Sequence, residues 1–101
     1  MRSIHLITLD KKRPALVLTR ESVRPHLERV TVAPITSRVR GISSELPVGR
    51  RNGLDRESVV NCDGIATILR RDLGPQIGFL LDSQEPDLAA AIQAAFDLTL
   101  D

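Results

Sequence analysis

The side chains best equipped for chemistry in this chain are cations and hydroxyls. Arg13 stands directly before Pro14 and a run of branched residues, so its guanidinium would project at the entrance of a strand, beside Lys12. Thr36 and Ser37 close another branched run and are followed by Arg38 and Arg40. A guanidinium holds a phosphate through two parallel N–H donors, and hydroxyls add hydrogen bonds to its oxygens. The set suits the binding of a phosphodiester. The competing reading is a group of surface arginines beside a threonine chosen for strand propensity. Metal chemistry finds less support. His5, His26 and Cys62 show none of the paired spacings of zinc sites, and each reads as a structural residue. There is no Gly-x-Ser-x-Gly elbow, Walker loop or Gly-x-Gly-x-x-Gly run, so neither a metal nor a nucleotide cofactor is expected.

The elements that must carry these residues are short. Branched residues and alternation predict strands over 3–9, 14–19 and 30–36, with Pro14 at the first position of the second. Pro34 inside the third predicts an edge position or a bulge, because proline cannot donate to a ladder. Residues 21–29 are polar and broken by Pro25, a loop with room for one helical turn. Residues 37–53 turn polar and glycine-punctuated around a short strand at 45–48. Residues 58–62 and 65–69 read as a hairpin turned at Asp63-Gly64, and 76–81 as a last strand. Leu88, Ala91, Ile92, Ala95, Phe96 and Thr99 follow helical spacing. Ser83 or Glu85 can cap that helix, with Pro86 in its first turn. The expected fold is mainly β, a small antiparallel barrel closed by one C-terminal helix.

Composition agrees with one domain spanning 1–101. Of the 101 residues, 42% are hydrophobic and 27% charged, as in an ordinary globular protein. No segment approaches a membrane span, and the N-terminus lacks a secretory signal. One cysteine cannot form an intrachain disulfide, which predicts the cytoplasm. The near-zero net charge conceals an asymmetry. Residues 1–81 hold all 14 Lys and Arg against eight acids, a net +6, and residues 82–101 hold five acids and no base. A cationic body suits phosphate backbones or acidic peptides. With only two aromatics, Phe79 and Phe96, the core is thin and favours oligomerisation.

Four motifs in order resemble the MazF/PemK family of toxin endoribonucleases. Lys12-Arg13-Pro14-Ala15-Leu16-Val17-Leu18-Thr19 is similar to its "RPALVLS" segment. Val32-Ala33-Pro34-Ile35-Thr36-Ser37, then Arg40-Gly41 and Ser44-Glu45-Leu46-Pro47-Val48, is similar to its "VAPITS…RGYPSEVPL" block. Gly53-Leu54, Ser58 to Asp63 and Thr67-Ile68 continue in the family's order, as does the final helix. The resemblance implies an SH3-like barrel and a homodimer that cleaves single-stranded RNA without a metal. It also implies a cognate MazE-like antitoxin that blocks the site. The family's catalytic arginine and threonine fall on Arg13 and Thr36, and Lys12, Ser37, Arg38 and Arg40 would bind RNA. Two departures stand out: only Asp10-Lys11-Lys12 separates the first two strands, and Gly64-Ile65-Ala66-Thr67 replaces the family's "QIRT". A gyrase-poisoning toxin of the same fold depends on a C-terminal tryptophan, and this chain has none. A non-catalytic barrel holding RNA or an acidic peptide is the other alternative.

Overall fold

Seven strands and one helix account for most of the chain in the computed structural model, which describes residues 1–99. The strands are β1 (Ser3–Thr8), β2 (Lys12–Val17), β3 (Arg29–Thr36), β4 (Glu45–Val48), β5 (Ser58–Asn61), β6 (Ala66–Leu69) and β7 (Leu73–Phe79). The helix α1 spans Glu85–Phe96. All pairing is antiparallel, in the order β4-β5-β3-β2-β1-β7, with β6 also on β3. The expected mainly β class with a C-terminal helix stands, but among the described residues no ladder joins β7 to β4 to close a barrel. No described helix is long and apolar enough to cross a membrane.

The prolines explain the shape of the sheet. Leu18 donates its N–H to Thr31 O at 2.8 Å, so the even-numbered N–H groups of β2 face β3. Pro14 has no N–H to offer on that side, and the β2–β3 ladder ends at Ala15 opposite Pro34. Pro14 therefore lies two residues inside β2 rather than opening it, paired with Leu6 of β1. Pro34 is not on an edge. β3 is the central strand, pairing with β6 through Arg29–Val32 and with β5 through Ile35 and Thr36. Pro34 occupies the gap between those two partners, where no donor is required, and Gly64 lies against its ring. The same gap overturns the expected hairpin. β5 and β6 both pair with β3, joined by a 3-10 turn at Cys62–Gly64 in which Asn61 Oδ1 accepts the Asp63 N–H at 3.0 Å.

Alternation along β2 and β3 fills both faces. Leu16, Ala33 and Ile35 join Ile4, Leu46, Val60 and Leu80 against Leu88 and Ala91 of α1. Ala15, Val17, Val30 and Val32 form a second cluster with Ile7. Both phenylalanines are exposed, Phe79 at 44% and Phe96 at 55%, so the core is aliphatic throughout. The expected helical stripe is thus shorter at its C-terminal end: Phe96 faces solvent, the helix stops at Asp97 in the left-handed region (φ 54), and Thr99 lies beyond it. Neither Ser83 nor Glu85 caps α1. Gln84 does by position, and its buried side chain is used elsewhere.

Candidate active site

Continuing the β2–β3 register two residues past its last pair puts Arg13 opposite Thr36. The strands have parted there because Pro14 ended the ladder, and the opening is a cleft of about 250 Å³ lined by both residues. Lys12 and Ser37 line it beside them, with Ile35 and Leu54 as apolar floor. Pro14, two residues inside β2, thus ends the β2–β3 ladder and creates the fork.

Within the cleft the two residues are held differently. One terminal nitrogen of Arg13 donates to Asp10 Oδ1 at 3.1 Å, and the same oxygen accepts the Lys11 N–H at 2.9 Å. The short β1–β2 connection therefore orients the guanidinium. Arg13 Nε is buried and meets no acceptor among the described residues. Such a group is rare in folded proteins and costs about 1–3 kcal/mol where it persists. Thr36 Oγ1 accepts the Arg38 N–H at 3.1 Å, which fixes the rotamer and leaves its own O–H proton free to donate. A fixed cation and a fixed hydroxyl donor facing one opening are what a phosphoryl group binds.

The structure does not bring every expected residue to this cleft. Arg38 is exposed just outside it. Arg40 points elsewhere, its Nε 3.4 Å from Glu45 Oε2 and a terminal nitrogen 3.7 Å from Asp63 Oδ2. There it braces the 37–44 loop. Asp55, Arg56 and Ser58 line the cleft on the β5 side, and Asp10 reaches Arg13 from the exposed β1–β2 connection; the sequence reading passed over their role. Arg56 precedes β5 in a polar stretch without a local motif, and only the register of β3 with β5 brings it to the fork. His5 is occupied, Nδ1 2.9 Å from Gly74 O and Nε2 3.0 Å from Ser3 Oγ. Cys62 is fully buried, and burial followed by the charge of Asp63 pushes its thiol pKa up, away from the thiolate a nucleophile needs.

The fold and this fork define a class of small β proteins with one closing helix and a cationic cleft between two strands. The model for PemK-like, MazF-like toxins of type II toxin–antitoxin systems matches residues 8–96, and the chain belongs to that family. It is 63% identical over 98 residues to Endoribonuclease MazF3 of Mycobacterium tuberculosis, covering 97% of this chain and 95% of that one. The solved structure of Mycobacterium tuberculosis toxin MazF-mt6 superposes with a TM-score of 0.96 at 62% identity, covering 98% of this chain and all of the other. A mycobacterial endoribonuclease in complex with its cognate antitoxin shares the fold with a TM-score of 0.86 at 21% identity, covering 98% and 95% of the two chains.

Proposed function

We propose that this toxin is an endoribonuclease that cuts single-stranded RNA at the β2–β3 fork, with Arg13 and Thr36 as its catalytic residues. The observation that carries the reading is that Arg13, held by Asp10, and Thr36, whose hydroxyl proton is free, line one cleft. RNA brings its own nucleophile. Its 2′-oxygen attacks the adjacent phosphorus, the new O2′–P bond forms, and the P–O5′ bond breaks. The 2′-hydroxyl proton passes to water and the leaving 5′-oxygen gains a proton, giving a 2′,3′-cyclic phosphate and a 5′-hydroxyl. The site must align these atoms and stabilise the phosphoryl oxygens. Arg13 acts by hydrogen bonding and charge rather than as a base, since a guanidinium offers donors and no acceptor. Thr36 donates to a non-bridging oxygen. Lys12, Ser37 and Arg38 extend the phosphate-binding surface, and no metal is required by this chemistry.

The identity to MazF3 supports the activity, and family membership supports the remaining assignments: a homodimer, and inhibition by a MazE-like antitoxin laid over the basic groove. The toxin acts in the cytoplasm, and the buried free thiol of Cys62 fits a reducing compartment. The test is cleavage of RNA in the presence of EDTA with mapping of new 5′ ends. Arg13→Ala and Thr36→Ala should each lower the rate about a hundredfold or more while the fold survives. Arg13→Lys should also lose most of the rate, since an ammonium cannot reproduce the fork of donors. Near-normal cutting by either alanine variant removes that residue from the mechanism. Salt-sensitive binding without any cutting by the unmodified chain would leave the non-catalytic reading.

A further inference from the structure

We propose that Asn52 and Gln84 are a positioning pair that sets the β5-side wall of the cleft, and through Arg56 the fit of the RNA. The inference takes the location of the substrate from the function proposed above. It concerns two residues that never touch that substrate.

Both side chains are buried, Asn52 at 1% and Gln84 at 2% exposure. Asn52 Nδ2 donates to Gln84 Oε1 at 2.7 Å and to Phe79 O at 2.9 Å. Its Oδ1 accepts the Gly49 N–H at 3.1 Å and lies 3.5 Å from Gln84 Nε2. Gln84 Oε1 also accepts the Leu81 N–H at 2.9 Å. Asn52 thereby uses both donors and both acceptor positions. A buried amide pair this well satisfied permits one arrangement and penalises the rest, because any shift leaves polar groups unpaired in a low-dielectric interior.

What the pair fixes is a loop on which the cleft depends. Arg50–Asn52 is a 3-10 turn between Gly49 and Gly53, and its backbone presses on β7 so closely that a Cβ on Gly78 would lie 1.8 Å from Asn52 O. Leu54, Asp55 and Arg56 follow Gly53 and line the cleft on its β5 side, with Thr36 between them and Arg13 in strand order. The pair joins the start of α1 to that wall. Its two members lie 32 residues apart in the chain, and they add a directional tie to the apolar packing of Leu54 with Leu80 and Leu88. A displacement of this wall would loosen the fit of bound RNA while leaving Arg13 and Thr36 in place.

The test is steady-state cleavage of a short RNA by Asn52→Leu and, separately, by Gln84→Met, using protein whose circular dichroism shows it folded. Each should raise KM about tenfold with kcat held within about threefold, the signature of lost substrate fit. In an Arg56→Ala background the same substitutions should add little further to KM, because the residue they position is gone. The exchanged pair, Asn52→Gln with Gln84→Asn, should recover part of the loss. A merely structural role would instead lower the active fraction, so that Vmax falls at constant KM. That result, or a KM rise of equal size with and without Arg56, overturns the proposal. Arg13→Ala measured in parallel separates the two readings. If it still cuts, the catalytic assignment fails; if it is dead while the pair variants keep a normal KM, only the positioning role fails.

Discussion

Glu45 shows how one residue can organise a loop that sequence alone assigns to ligand binding. Its carboxylate accepts N–H groups from Gly41 at 2.8 Å, Arg40 at 3.0 Å and Ile42 at 3.4 Å, and the Arg40 guanidinium at 3.4 Å. Burial alone would raise its pKa, but these amides and the guanidinium outweigh it and hold the carboxyl below its ordinary 4.5. A depressed carboxylate contributes stability that is present above the unfolded pKa and lost as pH falls through the folded one. Glu45→Gln should therefore lower Tm at neutral pH, with the gap to the unmodified chain closing in acid below that depressed value; a gap constant with pH would contradict this account. The same residue explains why Arg40 lies outside the cleft that its sequence context suggests for it. Arg-Gly beside a hydroxyl-rich stretch reads as phosphate binding, and nothing local says that a carboxylate five positions on consumes its backbone and side chain. Arg13 and Thr36 stand out as candidates because each adjoins a proline-marked branched run, although their facing each other depends on a register no local pattern states.

Among the elements, the prolines and glycines were visible as residues but not as partners. Pro34 was correctly denied a ladder donor, yet the chain meets that demand in the middle of the sheet, in the gap between β6 and β5. Asp63-Gly64 has the composition of a hairpin turn, but Asn61 captures the Asp63 N–H and sends β5 and β6 to different stretches of β3. Strand positions followed from branched runs and α1 from its spacing and Pro86, because those signals are local. Cross-sheet contacts are not. The approach of Gly78 to Asn52 belongs to this second group, and it yields a prediction at the level of packing. Gly78→Ala would put a Cβ 1.8 Å from a backbone oxygen, so β7 or the 49–54 loop must move. The expected cost is about 2 kcal/mol or more, a fall in Tm of roughly 10 °C for a chain of this size. A thermal melt within a degree or two of the unmodified chain would show that this contact is loose.

At the scale of the molecule, a cationic body carries an acidic C-terminal element, and the segments flanking the cleft mix charge with apolar surface. Val39 and Ile42 are exposed between Arg38 and Arg40 and beyond, and Leu9 is exposed beside the lysines of the β1–β2 connection. RNA phosphates can use the cations but leave the apolar residues wet. An acidic segment studded with apolar side chains uses both, which is the physical basis for an antitoxin outcompeting RNA at the proposed site. Light scattering should give twice the 11.1 kDa of one chain if the proposed homodimer forms, which the thin aliphatic core favours. A peptide of that acidic, apolar character should displace labelled RNA, with an inhibition constant equal to its own Kd for the toxin. RNA affinity should fall steeply with salt: with about four phosphates engaged, the logarithmic slope is about −2.8, so a fourfold rise in salt weakens binding about fiftyfold. The peptide, anchored partly by apolar burial, should lose less over the same range. Tight peptide binding that leaves RNA in place would put the inhibitory surface away from the β2–β3 fork. Equal salt sensitivity of the two ligands would mean that the exposed Val39, Ile42 and Leu9 contribute nothing to the choice between them.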